Sequence, residues 1–243
     1  MEKLITVVTV VYNGLNTIEK TIQSVLEQAY PVEYIIVDGG SSDGTVKIIR
    51  QYEKHLSTWI SEKDEGIYDA MNKGTEMATG KWICFLNSGD VFVDKYVTQK
   101  VAEAIKSNNE PDILYGDILV EKPDGCLKER IAKEPCNFHR MYFCHQASFA
   151  KRTALKSFPF DVKHKLSGDL KFFKECYSNH CRFVHLKMPL VVYDTNGLSN
   201  TNREIGLRDN IAVIKAIDKG IQKYVFLIRL YFVIYSRKLN GKS

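Results

Sequence analysis

Two stretches of the N-terminal sequence decide the fold. Residues 4–14 read LITVVTVVYNG, and residues 33–45 read EYIIVDGGSSDGT. Each opens with a run of β-branched and other apolar residues, which is typical of a strand covered on both faces. Each run stops at a polar turn that contains glycine, and a helical pattern of apolar residues follows. Strand, turn and helix in this order predict βαβ units and a parallel sheet.

The same alternation continues to about residue 116. Asn16 is the predicted N-cap of the first helix. Further strands are expected at residues 59–60, 81–86 and 113–115, and helices at about 16–28, 43–52, 68–78 and 94–106.

Beyond residue 116 the pattern changes. Pro123-Asp124-Gly125 between two short apolar runs predicts a hairpin. Helices at about 152–157 and 168–177 and two strands, at 182–186 and 190–193, are expected to follow. We therefore divide the chain into a nucleotide-binding half (1–116), an acceptor and catalytic half of the same domain (117–201) and a helical C-terminal extension (202–243).

Composition excludes several classes of protein. The 243 residues are 44% hydrophobic and 26% charged, values that exclude a disordered chain, a collagen-like repeat and a coiled-coil rod. A net charge of +5 is too mild for a nucleic-acid partner, so none is expected. Much of the basic excess lies near the C-terminus, at Lys215, Lys219, Lys223, Arg229, Arg237, Lys238 and Lys242.

Cysteine usage and the N-terminal sequence both suggest the cytoplasm. The six cysteines form no CxxC pair, which favours a reducing compartment. Cys136, His139, Cys144 and His145 do not have the spacing of a zinc finger, so no structural zinc is expected. The first apolar run has no cleavage site after it, and no run reaches the ~18 apolar residues of a spanning helix.

Asp38 ends the second predicted strand and is followed by Gly39 and Gly40. In open α/β sheets, ligands bind beyond the carboxyl ends of the strands. A carboxylate there can accept a hydrogen bond from a base N–H or a ribose hydroxyl, and the glycines let a ligand approach the backbone. The glycine spacing does not fit the dinucleotide motif G-x-G-x-x-G. A turn and helix cap would explain Asp43 and Gly44, but not Asp38.

Three other polar stretches could carry chemistry. Asn87-Ser88-Gly89-Asp90 follows a predicted strand, where a carboxylate can bind a hard divalent cation or simply form an Asx-turn. Residues 61–74 concentrate acids at a helix start, which the helix dipole also explains. Asp169 opens the helix at 168–177, where the dipole stabilises its anion, the form that acts as a base.

Together these motifs resemble glycosyltransferase family 2, and more narrowly its bacterial members that build surface polysaccharides. The resemblance runs from about residue 4 to about residue 200. It implies a GT-A fold, which is an α/β, Rossmann-like fold with a mainly parallel sheet flanked by helices, a nucleotide-sugar donor and inversion at the anomeric carbon. It rests on Val10-Val11-Tyr12-Asn13, residues 37–45, residues 62–74, residues 87–90, His145-Gln146 and Asp169.

The resemblance also implies donor-side roles. Val11 and Tyr12 match residues that line the nucleobase pocket, and Asp38 matches the acid that reads the base, commonly uracil. The remaining residues assigned to the donor site are Asp64, Asn72 and Asn87.

On the reacting side, Asp169 matches the general base, and His145-Gln146 match a recurring pair that we assign to the acceptor side. Asp90 matches the last acid of the metal-binding D-x-D region and implies Mn²⁺ or Mg²⁺. The acids often found at positions 87 and 89 of that region are here Asn87 and Gly89.

The predicted function is therefore that of a hexosyltransferase. It would move a sugar from a UDP-sugar to a hydroxyl of a lipid-linked or oligosaccharide acceptor in surface polysaccharide synthesis. The alternative is a non-catalytic nucleotide-sugar-binding module on the same fold, which Asn87 and Gly89 favour.

Residues 223–235 are nearly all apolar apart from Lys223 and Arg229. On a helix, Gln222, Arg229 and Ser236 would form one narrow polar stripe. One interpretation is a helix in the membrane interface, over 220–238, which would make the protein peripheral on the inner face of the cell membrane. The other is a helix packed on the domain or on a second copy in a homo-oligomer.

Overall fold

The computed structural model of the chain describes residues 3–122, 124–136, 142–195 and 203–239. Among the residues considered above, Pro123, His139 and Lys242 lie outside the described residues, as do the side chains of Gln222, Arg237 and Lys238. The described strands are β1 (Ile5–Val11), β2 (Glu33–Asp38), β3 (Thr58–Ser61), β4 (Trp82–Phe85), β5 (Val91–Phe92), β6 (Ile113–Glu121), β7 (Leu127–Arg130), β8 (Ser148–Lys151) and β9 (Phe183–Tyr193).

Helices flank these strands and follow them at the C-terminus. Short 3-10 helices lie at Glu53–His55 and His145–Ala147. The α-helices are α1 (Ile18–Leu26), α2 (Thr45–Gln51), α3 (Ile67–Met77), α4 (Val97–Ser107), α5 (Arg152–Ser157), α6 (Gly168–Ser178), α7 (Arg203–Ile217) and α8 (Ile221–Leu239).

All the strands join one sheet in the order β3-β2-β1-β4-β8-β6-β9-β5, with β7 paired to β6. The four strands β3, β2, β1 and β4 are mutually parallel, as the apolar runs predict. Val11 lies opposite Asp38, and Asp38 lies opposite Ser61. The polar residues that follow these strands therefore share one edge of the sheet.

The second part of the sheet is mixed. β8 is antiparallel to both of its neighbours, whereas β6 and β9 are parallel. β6 and β7 form the predicted hairpin. The division that we drew between residues 116 and 117 falls inside β6, so the two halves share one sheet.

Two local predictions are wrong. The first helix begins at Ile18 and its N-cap is Thr17, not Asn16, with no side-chain cap. β9 is one strand rather than two. We expected residues 187–189 to separate two strands. Instead the strand continues through them, because Lys187 adopts a φ of 50° and the pairing with β6 shifts register opposite Asp117. A bulge of this kind keeps a strand continuous despite a proline.

Apolar side chains fill both faces of the sheet. On one face, α1 and α4 pack against alternate residues of β1 and β4, including the fully buried Cys84. On the other face, α3 and α6 pack against the intervening residues of the same two strands, such as Val8 and Ile83. Strands covered on both faces are continuous apolar runs because each side of the pleat needs its own buried set.

The C-terminal extension is helical, as expected. α7 and α8 pack on each other through a separate apolar cluster that includes Leu207, Ile211 and Leu230. A fully buried ion pair, Lys174 Nζ to Asp218 Oδ1 at 2.7 Å, joins α6 to the end of α7. Within the described ranges, none of the helices combines the length and the apolar content that crossing a bilayer takes.

Candidate active site

Asp38 is fully buried at the end of β2. Its Oδ2 accepts hydrogen bonds from the backbone N–H groups of Gly40 at 3.1 Å and Ser41 at 2.9 Å, and from Ser61 Oγ at 2.7 Å. Its Oδ1 is buried with no partner among the described residues. Buried acceptors are rarely left unpaired, so this oxygen is suited to a donor group that comes from a ligand.

The loops after β1 and β2 are tied together beside Asp38. Asn13, whose φ is 51°, donates from its N–H to Ser41 Oγ at 2.7 Å, and Ser42 N–H donates back to Asn13 Oδ1 at 3.0 Å. Val11 is buried, whereas Tyr12 is 67% exposed. Tyr12 follows Val11, which lies opposite Asp38 in the sheet, so the exposed Tyr12 and Asp38 lie at the same end of their strands.

Asp64 reaches the same place from the segment between β3 and α3. A Cβ on Gly39 would lie 3.1 Å from Cγ of Asp64, so only glycine leaves room for this carboxylate. Burial raises the pKa of Asp64, and the nearby Asp38 charge adds to the rise. The geometry thus brings Asp38, Asp64 and Val11 together, as the sequence predicts.

Asn72 has a different position. Its Oδ1 accepts the Phe160 N–H at 3.0 Å, and its Nδ2 donates to the Phe160 carbonyl at 2.8 Å. Both ends of the amide are therefore used to bind α3 to the segment before α6. The structure gives Asn72 a scaffolding role, and donor binding by it stays a prediction.

Asp169 lies in the first turn of α6 and is almost fully buried. Oδ1 accepts Tyr68 OH at 2.8 Å and its neighbour's N–H, that of Leu170, at 2.8 Å. Oδ2 lies 2.9 Å from Nδ1 of His145. Burial raises the pKa of Tyr68, and the Asp169 charge raises it further, so the phenol stays protonated and donates.

His145 links the carboxylate to the loop after β4. Its Nε2 lies 3.2 Å from Nδ2 of Asn87. With the Asn87 amide donating from Nδ2, Nε2 accepts and Nδ1 donates to Asp169. Tyr68, Asp169, His145 and Asn87 thus form one chain of hydrogen bonds, which we call the catalytic-side network.

Asp90 is almost fully buried beneath that loop. Its Oδ1 accepts the Asp194 N–H at 2.8 Å. Burial raises the pKa of Asp90 to about 6, whereas this hydrogen bond and the nearby Gln146 side chain lower it. Gln146 therefore lies beside Asp90, and its assignment to the acceptor side stays a prediction.

The oxygen chemistry of this loop fits a hard divalent cation. Oδ1 of Asn87 is buried and accepts no hydrogen bond among the described residues. Asp90 belongs to the same loop, and the Asp194 carboxylate lies against Gly89 of that loop. No three His, Cys, Asp or Glu side chains in the described ranges converge as a complete metal site. Mg²⁺ typically needs only one or two carboxylates when substrate phosphates supply the other ligands.

Some site residues escape the sequence argument. Tyr68 and Ser61 sit inside the acidic stretch but were not singled out, although both donate to predicted acids. Gly168, next to Asp169, is the one residue in the sequence that could have indicated close packing there. A Cβ at this position would lie 2.9 Å from the Tyr68 ring. Thr21 braces the loop after β4 by accepting the Gly89 N–H at 2.9 Å, and nothing in the sequence marks it.

Solved structures with the same chain path identify the class of fold as GT-A. TarS of S. aureus superposes with a TM-score of 0.71 and 20% identity over 94% of this chain, which covers 43% of TarS. Its fragment 1–349 in complex with UDP-GlcNAc gives a TM-score of 0.70 over 94% of this chain and 71% of that one. The mannosyltransferase PcManGT of Pyrobaculum calidifontis, in complex with GDP-Man and Mn²⁺, superposes with a TM-score of 0.69 and 19% identity. The match covers 97% of this chain and 70% of that one.

The sequence then gives the family. Residues 6–158 match the model of glycosyl transferase family 2, and the chain belongs to that family. A PGL/p-HBAD biosynthesis glycosyltransferase of Mycobacterium bovis is 29% identical over 214 residues, 85% of this chain and 82% of the relative. A putative teichuronic acid biosynthesis glycosyltransferase, TuaG of Bacillus subtilis, is 43% identical over 91 residues, 36% of each chain.

Proposed function

We propose that the protein is an inverting hexosyltransferase that uses a UDP-sugar. Its acceptor would be a hydroxyl of a lipid-linked or oligosaccharide molecule in the synthesis of a surface polysaccharide. The observation that carries the proposal is the catalytic-side network, in which a buried carboxylate at a helix N-terminus is held beside the loop after β4.

Similarity to other proteins supports the choice of donor and pathway. TarS binds UDP-GlcNAc, and TuaG is named for the biosynthesis of teichuronic acid. The unpaired Oδ1 of Asp38 can accept the N–H of a uracil ring, while its Oδ2 stays held by the loop. Uracil is thus a base that this acid can read.

In the proposed reaction, Asp169 is the general base. The acceptor oxygen attacks the anomeric carbon as its proton passes to the Asp169 carboxylate, and the bond to the diphosphate breaks, releasing UDP. Attack opposite the leaving group inverts the anomeric centre without a covalent intermediate. His145 and Tyr68 donate to Asp169, so they orient its carboxylate.

A divalent cation, Mn²⁺ or Mg²⁺, would be held by the oxygens of the loop after β4, including those of Asp90 and Asn87. When bound, it offsets the charge of the leaving diphosphate. Asp90 fixes the shape of this loop through the Asp194 N–H, whereas Thr21 holds it from α1.

The proposed location is the inner face of the cell membrane, on which α8 would lie over residues 220–238. Its exposed apolar side chains form one stripe on the side of the helix away from α7. The stripe includes Ile221, Tyr224, Val225, Ile228, Phe232 and Tyr235. The sequence of α8 contains no acid to repel an anionic lipid surface.

The first test is thermal unfolding with UDP, GDP, CDP and dTDP, each with Mn²⁺ or with EDTA. A nucleotide at ~100 times its Kd stabilises by about 2.7 kcal/mol, which for a chain of this size raises Tm by about 5–10 °C. Of the four nucleotides, only UDP should raise Tm in this way. A shift with another nucleotide would overturn the donor assignment, and binding of a UDP-sugar with no hydrolysis or transfer would favour the non-catalytic module.

A further inference from the structure

Gly89 occupies a position where Asp194, 105 residues later in the chain, leaves no room for a side chain. Its φ is 105°, in the left-handed region that favours glycine. A Cβ built on Gly89 would lie 3.2 Å from Cγ of Asp194 and still closer to Oδ2. The Asp194 carboxylate therefore fills the space that a side chain at position 89 would enter.

The backbone holds Asp194 in this place. It follows directly after β9, whose Val191 and Val192 pair with Phe92 and Val91 of β5. β5 in turn begins at the residue after Asp90, so the two strands carry Asp194 and the loop together. The Asp194 N–H closes this arrangement by donating to Asp90 Oδ1 at 2.8 Å.

The two carboxylates of the loop differ in their surroundings. Asp90 accepts a hydrogen bond from the Asp194 backbone and is 3% exposed. The Asp194 side chain is 15% exposed, and its Oδ2 lies 3.9 Å from the half-exposed Lys20 ammonium. Asp90 also shapes the loop, and Asp194 is the more exposed of the two carboxylates, so an ion that arrives with the donor can reach it.

We propose that Asp194 is a carboxylate ligand of the divalent cation that accompanies the donor diphosphate, and that it replaces the acid missing at position 89. With Asn87 Oδ1, which is buried without a partner among the described residues, it forms an all-oxygen set suited to Mg²⁺ or Mn²⁺. This inference rests on the proposed function, because it assumes that a nucleotide diphosphate binds beside this loop.

The direct test measures metal binding rather than turnover. The apparent Mn²⁺ affinity of the full chain is titrated by electron paramagnetic resonance with UDP saturating, and UDP affinity is measured separately in EDTA. Asp194→Asn keeps the backbone N–H that Asp90 needs, so it should fold as the parent does. We expect it to weaken Mn²⁺ binding at least about tenfold and to leave UDP affinity in EDTA unchanged.

A matched control is Asp94→Asn, which removes a carboxylate that bonds Lys100 and the Tyr96 N–H. It should not change Mn²⁺ affinity. A second variant, Asp194→Cys, should shift the metal preference from Mn²⁺ towards the softer Cd²⁺ relative to the parent, because a thiolate prefers soft ions. A structural role for Asp194 would not produce that shift.

The outcomes separate this inference from the proposed function. Parent-like Mn²⁺ affinity in Asp194→Asn, or equal loss of UDP affinity with and without metal, would overturn the role of Asp194. The same holds if the parent binds UDP but shows no Mn²⁺ dependence, in which case the donor site itself still stands. If the parent binds UDP under neither condition, the proposed function fails first.

Discussion

The donor-side loops and the catalytic-side network hold their central carboxylates in opposite ways. Asp38 is bound mostly by its own loop, through N–H groups two and three residues away. Asp169 is bound by Tyr68, 101 residues away, and by His145, 24 residues away. A local motif builds most of the first arrangement, to which Ser61 of β3 adds one hydrogen bond, whereas the second exists only once the whole sheet has formed.

The largest expected effect comes from Asp169→Asn. An amide cannot take the acceptor proton, so turnover should fall about 10²–10⁴-fold, while UDP affinity stays within about twofold. Transfer from a radiolabelled UDP-sugar and calorimetric titration of UDP measure the two quantities. Turnover like that of the parent enzyme would refute the assignment of the base, and a parallel loss of UDP affinity would mean that the two regions are not independent.

The next effect tests how firmly α6, which carries Asp169, is held to the C-terminal extension. Lys174→Met leaves Asp218 charged and buried, and breaking such a pair costs about 3–5 kcal/mol of stability. Lys100→Met, at an exposed pair with Asp94 of similar length, should cost about 0–1 kcal/mol. Urea unfolding measures both.

A double variant, Lys174→Met with Asp218→Leu, sharpens this result. It removes both buried charges, so much of the lost stability should return. If Lys174→Met cost no more than Lys100→Met, the buried pair would not be what joins α6 to the C-terminal helices.

The same contrast explains how much could be predicted. Asp38 and the glycines after it could be predicted because two of the hydrogen bonds to Asp38 come from its own motif, although Ser61 and Asp64 reach that motif from another segment. The parallel strands were readable because full burial leaves continuous apolar runs. Asp169 could be matched as the base, but its phenol partner Tyr68 could not, since no sequence period connects residues so far apart.

Asp194 and β9 show a second limit. The Lys187-to-Pro189 segment separates the two predicted strands because it contains a lysine and a proline, yet a bulge carries the ladder across it. Only that continuity brings Asp194 back to Gly89. Bulges depend on the partner strand, here β6, so a single strand's sequence does not announce them.

A smaller effect is expected at the donor side. Asp38→Asn keeps the shape of the side chain but removes the charge that we propose binds a base N–H, a hydrogen bond worth about 1.5–3 kcal/mol. UDP affinity should fall by about 10–150-fold, while turnover at saturating donor changes little. This is the reverse of the Asp169→Asn pattern. Loss of turnover at full saturation would show that the donor loops also act in the reaction.

The smallest effect concerns the exposed apolar stripe of α8, which we propose lies on the membrane. It tests where a lipid-linked acceptor would be met and not how the donor binds. Ile228 and Phe232 are 68% and 69% exposed, so replacing both by Gln should change folding stability by no more than about 1 kcal/mol. Binding to vesicles that contain anionic lipid should fall about tenfold, because each side chain gives up apolar burial in the interface. Ile131→Gln, at an apolar residue of similar exposure directly after β7, is the control. Equal vesicle binding by all three proteins would leave α8 as a surface for a second copy of the chain, and the catalytic side would then not depend on a membrane at all.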